Sequence, residues 1–139
     1  MAQRDHFEHQ LAAASGFAET DRGIFSGWRR HTRNLSLGVR NHQLIRVDQV
    51  SQGTLDTILV HPREVFRSAI SASASAIVLA HNHPSGDPTP SEADIKVTRD
   101  LIRAGQVLKI DVLDHVILGR RSQERSRDYV SLRELGYFA

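Results

Sequence analysis

Apolar residues recur along this 139-residue chain in short blocks whose spacing alternates between helix and strand periods. From Asp5 to about Ala14, Phe7, Leu11 and Ala14 stand at helical spacing. Between Gly16 and Arg33 that order fails. Glycines, scattered aromatics and the cluster Arg29-Arg30-His31-Thr32-Arg33 predict an irregular or mobile segment. Leu35, Leu37 and Val39 then alternate as a strand, and Leu44 to Val50 reads as its hairpin partner across Arg40-Asn41-His42. Pro62 suits the first position of a helix whose Val65, Phe66, Ala69 and Ile70 form one apolar face. Ser71 to Ser75 reads as the tail of that helix, and Ala76 to Ala80 as a short buried strand. Ile95, Thr98, Leu101 and Ile102 make a second helix face, ended by Gly105. Val107 to Ile110 and His115 to Gly119 read as two strands, with Tyr129 to Leu132 as a last one. The alternation predicts an α/β domain, a mixed β-sheet flanked by helices.

Composition narrows the class. With 40% hydrophobic residues the chain is long enough for one buried core and one domain. No apolar run approaches the ~20 residues that span a bilayer, and no signal-peptide pattern opens the chain. No membrane partner is expected, and a cytoplasmic location is. The absence of cysteine rules out disulfides, thiolate metal ligands and a thiol nucleophile. Eighteen basic residues stand against sixteen acidic ones, and the resulting charge of +2 is too small to argue nucleic-acid binding.

The chemistry concentrates in His81-Asn82-His83-Pro84-Ser85-Gly86-Asp87-Pro88-Thr89-Pro90-Ser91-Glu92-Ala93-Asp94. Two histidines at i and i+2 on a strand end share a face, so both imidazoles reach one ion. The loop with Pro84, Gly86, Pro88 and Pro90 turns the chain, Ser91 is placed to cap a helix, and Asp94 falls in its first turn. A carboxylate there folds back over the strand end as a third ligand. Two histidines and a carboxylate with a fourth position open are the ligand set of a hydrolytic zinc site. Taken singly the parts mean little. Eight histidines make a His-x-His pair common, and an acid in a first helical turn is ordinary. It is the joint pattern that points to metal.

His-x-His, seven residues, Ser, two residues, Asp resembles the JAMM motif of the JAB/MPN metalloprotease superfamily. The string His81 to Ser91 resembles the RadC branch, bacterial proteins historically named for DNA repair. Ser51-Gln52-Gly53-Thr54-Leu55 and Val60-His61-Pro62-Arg63-Glu64-Val65-Phe66 are similar to that family's upstream blocks. Leu113 to Gly119 and Tyr129 to Arg133 are similar to its downstream ones. The likeness covers residues 41 to 139. It implies an MPN fold, cytidine-deaminase-like, over about 38–139, with 1–37 a diverged or poorly ordered segment. It also implies metal-assisted amide hydrolysis of a peptide or isopeptide. In the family's roles His81, His83 and Asp94 hold Zn2+, and Ser91 donates to the oxyanion. The plain alternative for Ser91 is an N-cap. Asn82 faces away from its neighbours and reads as structural. Asp87 reads as a turn residue outside the site.

One departure bears on activity. Active members carry an upstream glutamate that orients the attacking water, and that position falls near His31. No acid occurs from Arg22 to Val47. Glu19 is the best substitute, while Glu64 lies on a helix start where acids are ordinary. Two alternatives follow: a catalytically weak metal-binding domain of the same fold, or a DNA-repair accessory domain. The latter is suggested by Arg29 to Arg33 beside Trp28 and by Arg120, Arg121, Arg125 and Arg127. Glu124 and Asp128 interleave the second stretch, for which a solvated loop is the simpler account.

Overall fold

The structure, a computed structural model, describes residues 32–41, 43–53 and 61–138. Its elements run β1 (Thr32–Arg40), β2 (Gln43–Gly53), α1 (Pro62–Ser71), β3 (Ala76–Asn82), α2 (Glu92–Leu108), β4 (Asp111–Leu118) and β5 (Tyr129–Ser131). The expected helix at Asp5 to Ala14, the irregular segment before Thr32, and His31 and Glu19 lie outside the described residues.

The five strands form one sheet in the order β2-β1-β3-β4-β5. Strand β1 pairs antiparallel with both β2 and β3, and β4 pairs antiparallel with β5. Only β3 and β4 are parallel, and α2 makes the crossover that a parallel pair requires. The β1–β2 hairpin turns at Asn41, whose φ of 52° is one that asparagine tolerates well. Strand β1 begins at Thr32 and crosses position 37, so Leu35 and Leu37 are core residues of the same sheet as the rest.

Strand β3 is the centre. All seven of its residues are buried, and Ile77 to Ala80 alternate between two apolar clusters. Ile77 and Leu79 face Val65, Phe66 and Ala69 of α1 and Leu101 of α2. Val78 and Ala80 face Leu35, Leu37, Val116 and Leu118 on the other side. Phe66 is 1% exposed, so truncating it to alanine is expected to cost about 3–5 kcal/mol.

Three boundaries differ from the sequence expectation, each for a physical reason. Helix α1 ends at Ser71 and the chain turns through Ser73 at φ 57°, so Ser73 to Ser75 are a turn rather than a tail. Ile70, expected on the apolar face, is 56% exposed. Helix α2 runs past Gly105 to Leu108, because Leu101, Gly105 and Leu108 keep the 3–4 spacing. Lys109, at φ 60°, supplies the left-handed cap. Gly105 serves close approach instead, since a Cβ there would stand 2.4 Å from the Ile110 carbonyl. Val107 therefore belongs to the helix, and the two strands expected across this region are one, Asp111–Leu118.

This topology sets the site. The C-terminal ends of β3 and β4 lie side by side, and the N-terminus of α2 returns beside them. Asn34 pairs with His81, so the chain also enters β1 at that same end of the sheet.

Candidate metal centre

His81 sits on the helix-facing side of β3, two residues beyond Leu79, and is 4% exposed. His83 follows just past the strand. Its N–H donates to the Leu118 carbonyl at 2.8 Å and carries the β3–β4 ladder one step further. The loop then turns back on itself through Gly86, whose φ of +91° is glycine territory. The Gly86 carbonyl accepts from the Arg120 N–H at 2.7 Å, and a Cβ on Gly119 would lie 2.3 Å from that same oxygen. Gly119 thus lets the loop seat directly on the exit of β4.

The basic stretch braces this loop. Arg120 donates to the Ser85 carbonyl at 3.2 Å and Arg125 to that of Gly86 at 3.3 Å. Arg127 pairs with Glu134 at 2.8 Å and lies over the Tyr129 ring. The Asp87 side chain closes a local turn onto the Thr89 N–H and hydroxyl, as its turn reading anticipates.

At the far end of the loop, Ser91 caps α2. Its Oγ accepts from the Asp94 N–H at 3.1 Å, and Asp94 Oδ2 accepts from the Ser91 N–H at 2.8 Å. This capping box holds the carboxylate over the end of β3.

The three expected ligands meet. Nε2 of His81 lies 3.1 Å from Nε2 of His83 and 3.1 Å from Asp94 Oδ1, and Nε2 of His83 lies 3.3 Å from Asp94 Oδ2. Bonds of about 2.0–2.1 Å arranged tetrahedrally put ligand atoms about 3.3 Å apart, so these separations fit zinc. The donor chemistry fits as well. Nδ1 of His83 faces the Asp87 carbonyl at 2.8 Å, and a carbonyl only accepts, so Nδ1 carries the proton and the neutral ring keeps Nε2 bare toward the cluster. Among the described residues, His81, His83 and Asp94 form a group able to hold a metal ion.

The two imidazoles titrate in opposite directions. Burial dominates at His81 and lowers its pKa, although Asp94 pulls the other way. Burial also pushes His83 down, but Asp94 and Asp87 together outweigh it and the net shift is upward. For Asp94, burial favours the neutral acid, yet hydrogen bonds from both histidines hold its carboxyl well below the usual carboxylate range. The ligand set is therefore anionic at its carboxylate across the neutral range.

Two further residues touch the cluster, and neither is singled out by the sequence. Nε2 of His115 lies 2.8 Å from Nδ1 of His81, and Nδ1 of His115 lies 2.6 Å from the Thr98 hydroxyl. Thr98 in turn reaches the Asp94 backbone carbonyl at 2.8 Å. A signal exists in hindsight. Thr98 is one helical turn after Asp94, and a histidine inside the apolar β4 strand needs a polar partner.

An α/β sheet that gathers a His-x-His strand end and a helix-borne aspartate at one end of its central strands has the architecture of the JAB/MPN fold. The chain matches the model of the RadC-like JAB domain over residues 30–137. It is 49% identical over 110 residues to a UPF0758 protein of Caldanaerobacter subterraneus subsp. tengcongensis, spanning 79% of this chain and 44% of that one. A UPF0758 protein of Moorella thermoacetica is 57% identical over 91 residues, 66% of this chain and 39% of that one. One from Methanococcoides burtonii is 46% identical over 111 residues, 80% and 45% of the two chains. This chain belongs to the RadC family. It spans less than half the length of these relatives.

Proposed function

We propose that this domain is a zinc-dependent hydrolase of peptide or isopeptide bonds. The observation that carries the reading is the convergence of three lone-pair donors at tetrahedral separations, from the end of β3, the pinned loop and the start of α2. Zinc held there would supply a Lewis acid and lower the pKa of a coordinated water toward 7. The residues do the rest. His81 and His83 are buried and held by hydrogen bonds, which would fix where a bound ion stands. Ser91 offers two separate functions through one hydroxyl. Its oxygen accepts from Asp94 N–H as the cap, which leaves its hydrogen to donate to a developing oxyanion.

A proton acceptor for the attacking water is the weak point. By the family resemblance the glutamate position falls near His31, where this chain has no acid, and turnover is therefore expected to be slow. The reading is tested by loading the purified chain with zinc and following cleavage of peptide and isopeptide substrates. About one zinc per chain is expected, with activity lost to a chelator and restored by zinc. His81→Ala and His83→Ala should each lose the metal, while His61→Ala, at the exposed N-cap of α1, should keep it. Equal zinc content in His81→Ala and wild type would remove the site.

A further inference from the structure

His115 is 1% exposed, and the reaction outlined above gives it no task. Resting on the metal reading, we propose that His115 and Thr98 are positioning residues that commit the Nε2 lone pair of His81 to the ion.

The argument follows the protons. A neutral imidazole carries one ring proton, so Nε2 of His81 binds a cation only if that proton sits on Nδ1. In a buried site this Nδ1–H needs an acceptor, and Nε2 of His115 stands 2.8 Å away. For Nε2 of His115 to accept, its own proton sits on Nδ1, 2.6 Å from the Thr98 oxygen. Thr98 accepts it and directs its hydroxyl hydrogen to the Asp94 carbonyl at 2.8 Å. Every donor in the chain then has one acceptor, and the chain ends on a group that only accepts. Run the other way, Thr98 would donate to His115, His81 would carry its proton on Nε2, and the lone pair would be lost to the ion. The Asp94 carbonyl gives the Thr98 hydrogen another place to point. His83 solves the same problem with the Asp87 carbonyl alone. His81, on the strand, uses two side chains instead. The relay starts and finishes on metal ligands, since Asp94 supplies both a carboxylate to the ion and the terminal carbonyl.

Zinc affinity, measured by competition with a chromophoric chelator, tests this independently of turnover. His115→Leu keeps the bulk but removes the acceptor, and should weaken zinc binding by about 10–100-fold. His115→Gln sets an amide oxygen near the place of Nε2 and should recover most of that loss. Thr98→Val should weaken binding by about tenfold and Thr98→Ser should restore it. The double variant His115→Leu/Thr98→Val should lose little more than His115→Leu alone, because both cut one chain. Histidine 15N shifts of the zinc-loaded protein should place the proton on Nδ1 in both His81 and His115. Unchanged affinity in His115→Leu overturns the proposal, as does an equal loss in the Leu and Gln variants, which would mark a packing role. A proton on Nε2 of His115 in the loaded protein overturns it as well. If His115→Leu does not fold, the Thr98 pair and the shifts decide. Wild-type protein that takes up no zinc removes the metal reading itself, and this inference with it.

Discussion

The candidate metal centre has a strand side and a loop side, and the two are held by different means. On the strand side His81 is held by a side chain, His115 of the neighbouring strand, which is itself held by Thr98 of α2. On the loop side His83 is held by main chain, through the Leu118 and Asp87 carbonyls, on a loop that Gly86 and Gly119 allow to lie flat against β4. The contrast extends to protons, because burial lowers His81 while its polar neighbours raise His83. One ion would thus be shared between a rigid, dry ligand and a more polar one. Side-chain bracing is specific to residue type, whereas main-chain bracing depends on backbone shape.

The largest effect should come from the start of β1. That strand begins at Thr32, at the candidate-site end of the sheet, and His31→Glu is expected to restore a carboxylate just before it in sequence. General acid–base help is worth about 10²–10⁴-fold, and cleavage of a peptide or isopeptide substrate should rise toward that range. Glu19→Ala is the matched control and should abolish activity only if Glu19 already serves. Strong turnover indifferent to both changes would show that proton transfer is handled elsewhere.

At the start of α2, Ser91→Ala should leave zinc bound and slow hydrolysis by roughly 10²-fold. It should also cost about 1 kcal/mol of stability through the lost cap. A stability loss with turnover untouched would confine Ser91 to capping.

Backbone shape is challenged by Gly119→Ala. The added methyl would meet the Gly86 carbonyl at 2.3 Å, so the loop has to lift, at about 1–3 kcal/mol. Zinc affinity should fall, while Gly38→Ala on β1, beside Ile77 at the far end of β3 and with its nearest neighbour at 3.3 Å, should leave it intact. Similar zinc affinity in both variants would mean that the loop side contributes little.

The smallest effect is the pH dependence of zinc affinity. A histidine binds a metal only when its imidazole is neutral, so a proton on His83 competes with the ion. Because its pKa is raised above 6.5, affinity should begin to fall as pH drops through that raised value, by about tenfold per unit for one proton. His81, shifted down, stays neutral over the same interval. A slope of two protons there would erase the difference between the sides.

The loop side was the more legible in the sequence. Proline and glycine spacing, the Ser91 cap and Asp94 are local features, and local geometry alone brought them to His83. Leu35, Leu37 and Val39 likewise read correctly as a strand, because period-2 alternation survives burial on both faces. The strand side was opaque for a converse reason. His115 reaches His81 only through the parallel β3–β4 pairing, and Thr98 only through the placement of α2, both tertiary facts. Period failed at Val107 to Ile110, where four residues suit a strand and a helix end equally, and the Lys109 cap decides.

The chain has no cysteine, so no disulfide can tie one element to another. A zinc ion shared by His81, His83 and Asp94 would be a cross-link in all but name, stapling the end of β3 to the first turn of α2 and closing the Pro/Gly loop between them. Ligand bound to the native state alone deepens its stability by about 2.7 kcal/mol at one hundred times Kd. The metal would then govern which parts of the fold open first. With zinc removed, amide hydrogen exchange should quicken earliest along residues 84 to 93 and barely at all in the middle of β3.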